Sequence, residues 1–291
     1  MFKITVPASS ANLGSGFDTF GLALSLYNVF GFEKSDDFLL VGFDQNFSFD
    51  QNLVFQAYKT VFEVLNKEVI PVTISLIQND IPISRGLGSS STCIIAGVIA
   101  ANHLLNNYLS KEECLNLMAH IEGHPDNVSA SFYGGLTSAV SSEKEITVSK
   151  WFPSGKLSFY ALIPQFTVST SKAREALPKV YHLSDITFTL ARAASLAKAF
   201  EQGKLSFIKE AVQDKIHEPY RYPLITDGLT IKEKVLRLGG VVTISGSGPT
   251  MLVTSDSDIF NEKLKGIEEL SSWNILKLKV DLQGFVLTQE K

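Results

Sequence analysis

The stretch "ISRGLGSSST", Ile83 to Thr92, sets Gly86, Leu87 and Gly88 directly before three serines. Such wording suits a phosphate cradle. The usual P-loop pattern, G-x-x-x-x-G-K-[ST], ends in a lysine that reaches the β- and γ-phosphates, yet no lysine lies between Asp80 and Asn102. Gly86 and Gly88 permit φ > 0 and a close approach of backbone to a ligand. Ser89, Ser90 and Ser91 open a long apolar helical stretch. The first N–H groups of a helix lack intrahelical partners, and its dipole places partial positive charge there. That makes an anion site without a side-chain cation, and serine hydroxyls add ligands for phosphate or a magnesium ion. An ordinary glycine turn with a serine N-cap fits the same residues, and from this stretch alone the two readings stand level.

Other stretches carry polar groups at comparable positions. In "PASSANLGSGFDTFGLAL", Asn12 and Asp18 flank a short glycine-containing connection. An amide and a carboxylate there suit hydroxyl or ammonium groups of a small substrate, although for either residue alone an Asx turn is the plainer reading. "ISGSGPT" puts Gly246 and Gly248 between two strands, as a hairpin loop or as a nest of N–H groups for phosphate. In "IEGHPDNVSAS", Glu122 ends a helix and is a candidate Mg²⁺ ligand, an ion that takes oxygen ligands and only one or two from protein. His124, Asp126 and Asn127 crowd the next turn, where a lone histidine is more often a turn or surface residue than a base. "STSKAREALP" supplies Lys172 and Arg174, and "HEPYRYP" supplies Arg221. Arginine grips a carboxylate bidentately, but an isolated arginine is ordinarily a solvated surface charge.

The elements that must hold these residues follow from periodicity and capping. Strands are expected over 2–6, 20–32 and "VTISLIQN". Asn52 caps a helix running to about Asn66 with Val54, Tyr58, Val61, Phe62 and Leu65 on one face. "STCIIAGVIAANHLLNN" is apolar on nearly all sides and reads as a central buried helix. "SKEECLNLMAHIEG" opens with a capping box, Ser110 to Glu113, and "GGLTSAV" is a strand. The chain turns polar around 142–156, where we place a domain boundary. Beyond it come strand "LSFYALIP", helices near 184–201, 205–216 and 230–238, strands "VVTIS" and "MLVTS", a helix near 258–270 and strand "ILKLKVD". This last β-β-α-β order suggests an α+β sandwich with helices on one face of an antiparallel sheet.

The 291 residues suffice for two domains with their own cores. An apolar fraction of 45% and a charged fraction of 19% are those of a folded protein. A net charge of −4 and a pI near 5.8, without a basic stripe, argue against a nucleic-acid partner. The stretch "MFKITVPASS" lacks a basic region followed by an apolar run and is not expected to be a signal peptide, and the longest apolar run, "CIIAGVIAA", is too short to span a bilayer. No membrane association is expected, and a cytoplasmic protein is. Cys93 and Cys114 read as reduced, buried thiols rather than a disulfide or a zinc site.

Taken together and in this order, the motifs resemble the GHMP kinase superfamily of small-molecule kinases. "PISRGLGSSS" is similar to that family's P-x-x-x-G-L-G-S-S-A ATP loop, with Ser91 where alanine is common, and "SGSGPT" is similar to its C-terminal glycine motif. "SSANLGSGFD" and "EGHPDN" narrow the likeness to the branch that phosphorylates L-homoserine. The resemblance implies an α+β fold of two domains, 1–150 and 151–291. The first is a ribosomal-S5-like ATP-binding domain and the second a ferredoxin-like α/β sandwich, with the active site in the cleft between them. It implies that ATP is wrapped by Pro82, Ile83, Ser84, Arg85, Gly86, Leu87, Gly88, Ser89, Ser90 and Ser91, together with Gly246 and Gly248. Ser90 and Glu122 would hold Mg²⁺. Asn12, Asp18, His124, Asn127, Arg174 and Arg221 would bind L-homoserine, the two arginines as its carboxylate clamp. The catalytic candidates are Asn127, Thr170 and Glu122. Asn127 stands where mevalonate-type relatives carry a catalytic aspartate, so a general base is dispensable, with Asp126 and Asp18 as the side chains near enough to accept a proton. Homodimers are common in the superfamily, which leaves a homodimer open. A kinase for another small hydroxylated acid and a non-catalytic binder of the same fold remain the alternatives.

Overall fold

The computed structural model describes residues 1–44, 49–142 and 145–289. The chain runs β1 (Phe2–Ala11), β2 (Phe20–Lys34), β3 (Leu39–Val41), α1 (Leu53–Val64), β4 (Val72–Asn79), α2 (Ser89–Leu104), α3 (Lys111–Glu122), α4 (Asp126–Tyr133), β5 (Leu136–Ser141) and β6 (Ile146–Trp151). It continues with β7 (Ser158–Ile163), α5 (Thr170–Glu175), α6 (Leu183–Gln202), α7 (Leu205–Ala211), α8 (Glu218–Arg221), α9 (Gly228–Arg237), β8 (Val241–Ile244), β9 (Met251–Ser255), α10 (Phe260–Lys265), β10 (Asn274–Leu278) and β11 (Val286–Gln289).

Two sheets organise these elements. The first has the order β11-β1-β2-β4-β3, with β5 pairing β2 and β6 pairing β5; only β3 runs parallel to its neighbour. The second is the antiparallel β10-β7-β9-β8. Helix ends form as their capping residues dictate. Asn52 Oδ1 accepts the Phe55 N–H at the start of α1. The Ser110–Glu113 capping box is reciprocal, at 3.1 and 2.7 Å. Helix α2 is buried on most sides because α1, α3 and the sheet all pack on it, which is why its sequence lacks a polar face.

Three differences from the sequence expectation have physical causes. Strand β6 lies inside the polar stretch 142–156, of which residues 143 and 144 are outside the described residues. Its alternating exposure, as an edge strand solvated on one face, gives it too few apolar residues to stand out. Strand β11 pairs with β1, so the last residues of 151–291 return to the first sheet. Finally, β7 is buried along its whole length, because both faces of the second sheet are covered. Tyr160 and Leu162 pack with Ile231, Val235 and Phe260 of α9 and α10. Phe159, Ala161 and Ile163 pack in a different cluster with Leu196 and Phe200 of α6. The single helical layer expected there is therefore half of the arrangement.

That second cluster joins the two halves. Leu13, Phe20, Leu22 and Leu87 from the first sheet and its loops share it with Phe159, Leu196, Val241 and Leu252. Burial of side chains of this size is worth roughly 1.5–3 kcal/mol each. The glycine loops sit at the edge of this shared core, held by both halves.

Candidate active site

The loop before α2 is stitched to both of the other glycine loops. Ser9 N donates to Leu87 O (3.1 Å), Ser245 Oγ to Gly86 O (2.6 Å) and Thr250 N to Arg85 O (3.2 Å). Gly246 N donates to Ala11 O (3.1 Å), and Asn12 Nδ2 to Gly246 O (2.8 Å). Three segments far apart in sequence thus form one rim. Gly86 and Gly88 have φ of +81° and +72°, and a Cβ would stand 2.2 Å from Ser245 O at the first and 2.3 Å from Ser9 Oγ at the second. Only glycine fits either place. Gly88 is the N-cap of α2 and offers no side chain, so the first turn of the helix is left open toward the cavity that Gly88, Ser89 and Ser90 line.

That cavity measures about 430 Å³. It collects Asn12, Asp18, Ile83, Ser84, Arg85, Gly86, Gly88, Ser89, Ser90, Glu122, His124, Asn127, Thr170, Arg174, Arg221 and Gly246 out of the expected site residues. Pro82, Leu87, Ser91 and Gly248 do not line it; the Leu87 and Ser91 side chains are fully buried behind the loop. One end is apolar and was not foreseen: Phe43, Leu53, Val54 and Leu76, with Asn52 and Asn79 beside them. Their sequence signal is only that of a helix start and a strand end.

At the helix terminus, Ser90 Oγ donates to Glu122 Oε1 at 2.6 Å. Glu122 Oε2 is buried without a hydrogen-bond partner. Burial raises the Glu122 carboxyl above its usual range, against the lowering effects of the Ser90 bond and the nearby His124. A hydroxyl and a carboxylate with an orphaned buried oxygen, both oxygen donors, are what a magnesium ion binds. Among the described residues no cluster of three or more His, Cys, Asp or Glu exists for another kind of metal.

The adjoining turn is a hydrogen-bonded unit. His124 Nδ1 meets Asp126 Oδ1 at 2.7 Å, and the same oxygen accepts the Asn127 N–H. Burial lowers the His124 pKa, but Asp126, Glu122 and Asp18 more than reverse this and raise it overall. Asn127 Oδ1 accepts Ser9 Oγ (2.9 Å), which in turn accepts Ser131 Oγ (3.0 Å). Asp126 is buried, with one oxygen committed to two partners.

Opposite lie the charges from the second half. Arg174 forks onto Asp18 with bonds of 2.9 and 3.1 Å, and that hydrogen bonding raises its pKa. Arg221 is only 2% exposed. Its Nε donates to Ala173 O (3.3 Å) and its Nη1 to Gly246 O (2.9 Å), while Nη2 makes no hydrogen bond among the described residues. Both guanidinium groups stand over the Phe17 ring, at 5.8 Å for Arg174 and 5.1 Å for Arg221. Thr170 Oγ1 lies 3.4 Å from Ser247 Oγ. Asn12 spends its side chain on the rim, since its Oδ1 also accepts the Asp18 N–H. Arg85 is among the residues expected to wrap ATP. Its guanidinium instead donates to the Pro164, Gln165 and Ile83 carbonyls and braces the loop against the end of β7.

Cys93, one turn into α2, lines the same cavity, and burial pushes its thiol up to about 12. Both cysteines are free thiols.

An N-terminal helix end inside a glycine rim, a Ser–Glu pair and a charged far wall on this two-sheet fold define the GHMP class of kinase. Residues 52–135 match the GHMP kinases N terminal domain. A homoserine kinase of Clostridium botulinum (strain 657 / Type Ba4) is 40% identical over 298 residues, covering 100% of each chain. The crystal structure of homoserine kinase from Cytophaga hutchinsonii superposes with a TM-score of 0.87 at 28% identity, over 99% of this chain and 97% of that one. Streptococcus pneumoniae phosphomevalonate kinase, in complex with phosphomevalonate and AMPPNP, shares the fold at a TM-score of 0.76 and 16% identity, over 96% of this chain and 99% of that one. The chain belongs to the homoserine kinase family. No helix among the described residues is long and apolar enough to cross a membrane.

Proposed function

We propose that this chain transfers the γ-phosphoryl group of ATP to the side-chain hydroxyl of L-homoserine, giving O-phospho-L-homoserine and ADP. The observation that carries the reading is the pairing, in one cavity, of an anion-accepting helix end with an Asp18–Arg174–Arg221 charge set. A zwitterionic amino acid presents an ammonium and a carboxylate. Asp18 suits the first; Arg174 and the free Nη2 of Arg221 suit the second. A neutral sugar alcohol would leave Asp18 and Arg174 paired only with each other and Arg221 Nη2 without an anionic partner, at a cost of about 1–3 kcal/mol for the unmatched group.

ATP fits lengthwise. The apolar end around Phe43, Leu53 and Leu76 accepts a nucleobase. The N–H groups of the Gly86–Ser91 backbone receive the phosphates. Ser90 and Glu122 would hold Mg²⁺, which when bound neutralises charge on the β- and γ-phosphate oxygens. Phosphoryl transfer passes through a loose transition state, so the chain's main contribution is alignment and electrostatic stabilisation. The Gly246 and Gly86 loops keep the phosphate and amino-acid ends in fixed register. Asn127 faces the cavity as an amide that cannot take a proton, consistent with a mechanism without a dedicated carboxylate base at that position. Cytoplasmic localisation is part of the same proposal.

A coupled ADP-release assay with Mg·ATP and, in turn, L-homoserine, mevalonate, shikimate and galactose tests it. Turnover should be confined to, or far fastest with, L-homoserine. Turnover of another alcohol in its place would refute the reading, and none with any would favour a non-catalytic binder.

A further inference from the structure

Arg221 owes its place to residues that the phosphoryl-transfer reading does not use. It ends α8, a helix of one turn. That turn is capped by Asp214, whose oxygens accept the Ile216, His217 and Glu218 N–H groups at 2.8–2.9 Å. His217, one turn before Arg221, is wholly buried. Arg221 Nη1 lies 3.3 Å from His217 Nδ1, and His217 Nε2 lies 2.8 Å from Gly14 O. A guanidinium only donates, so Nδ1 must accept and be unprotonated. The ring proton then sits on Nε2 and is donated to Gly14 O, which leaves the imidazole neutral. The ring also stacks on Phe17, 5.1 Å away at 22°, the same ring that Arg221 stands over. Gly14 is fixed in turn, because the next residue, Ser15, donates its hydroxyl to Ala211 O at the end of α7 (2.7 Å).

We infer that His217 is a positioning residue for the amino-acid substrate: its neutral, Nε2-protonated ring ties Arg221 to the Asn12–Asp18 loop and aims the free Nη2 into the cleft. The inference rests on the proposed homoserine reaction, since the substrate carboxylate is what Nη2 awaits. The charged groups acting on the ring are Asp214, 3.7 Å from Nε2, with Glu218 and Arg221 on its own helix. The two carboxylates favour a proton on the ring; Arg221 and burial oppose it. A second ring proton would displace the Arg221 bond, because both nitrogens would then be donors.

Two measurements decide. In ¹⁵N-histidine NMR of the whole wild-type chain at pH 7, His217 should show the Nε2–H tautomer. An Nδ1–H tautomer or an imidazolium would overturn the inference without any variant. In steady-state kinetics, His217→Leu should raise KM for L-homoserine about tenfold or more and leave KM for ATP within about twofold. His217→Asn places an acceptor oxygen near the Nδ1 position and should recover part of that loss. Equal effects on both KM values, or Asn no better than Leu, would overturn the inference while leaving the reaction standing. No homoserine turnover by the wild-type chain would overturn the reaction and this inference with it.

Discussion

Ser90 Oγ and Glu122 Oε1 are 2.6 Å apart, which joins the first turn of α2 to the last residue of α3. The pair brings a helix N-terminus, a hydroxyl and a buried carboxylate to one point of the cleft. Ser90→Ala should lower kcat by about two orders of magnitude or more, the scale of losing one group that stabilises transition-state charge. Circular dichroism and the melting temperature should stay near wild type, because Ser90 is exposed. Glu122→Gln should move the magnesium titration of the rate to higher concentration. An unchanged titration would remove Glu122 as a ligand.

Arg221→Ala removes a buried cation with one free nitrogen. KM for L-homoserine should rise roughly ten- to hundredfold, the equivalent of about 1.5–3 kcal/mol for a lost charged hydrogen bond. KM for ATP should move far less. Initial rates over a grid of both substrates separate the two, and equal shifts would argue against a carboxylate clamp.

Gly88→Ala should damage ATP binding. The new Cβ would meet Ser9 Oγ at 2.3 Å, and the residue must hold φ of +72°, a conformation costing an L-residue about 1–2 kcal/mol. The loop must shift away from the helix end. Isothermal titration with a non-hydrolysable ATP analogue should show weakened binding, and wild-type affinity would contradict the assigned role of the loop.

The pH dependence of stability reports on His217. Burial is the largest influence on its ring and lowers its pKa below the ordinary 6.5. Above about 6.5 both the folded and the unfolded histidine are neutral, and the ring makes no pH-dependent difference. As pH falls through 6.5 the unfolded chain binds a proton that the folded one refuses, so stability drops until the folded pKa is reached. In urea titrations between pH 7.5 and 5, wild type should lose stability more steeply than His217→Asn. Parallel curves would contradict a neutral buried ring.

The contact-making loops were legible in the sequence through their combined order and wording, since each alone fits an ordinary glycine or Asx turn. The helix that Asn52 caps, the Ser110–Glu113 box and the "VTISLIQN" strand form where local propensity and packing agree. Strand β6 and the short helices α4, α5 and α8 were not legible. Each is too short for periodicity, and tertiary contacts help hold them, such as Glu218 Oε1 of α8 accepting the Ile244 N–H. The Asp18–Arg174 ion pair spans 156 positions of the chain, and the Arg85 brace on Pro164 spans 79. Nothing local encodes either partner. The apolar end of the cleft was hidden for the same reason: Phe43, Leu53 and Leu76 look like ordinary core residues until the fold brings them beside the phosphate loop.

The most direct test of homoserine phosphorylation is ³¹P NMR of the whole chain with Mg·ATP and L-homoserine. Parallel samples contain 4-hydroxybutyrate, which lacks the ammonium, and 3-aminopropan-1-ol, which lacks the carboxylate. The predicted result is loss of ATP matched by ADP and the phosphomonoester of L-homoserine, with little product from either truncated alcohol. ATP unchanged beside L-homoserine, or equal turnover of all three alcohols, would contradict the assignment of Asp18, Arg174 and Arg221 as the determinants of an amino-acid kinase.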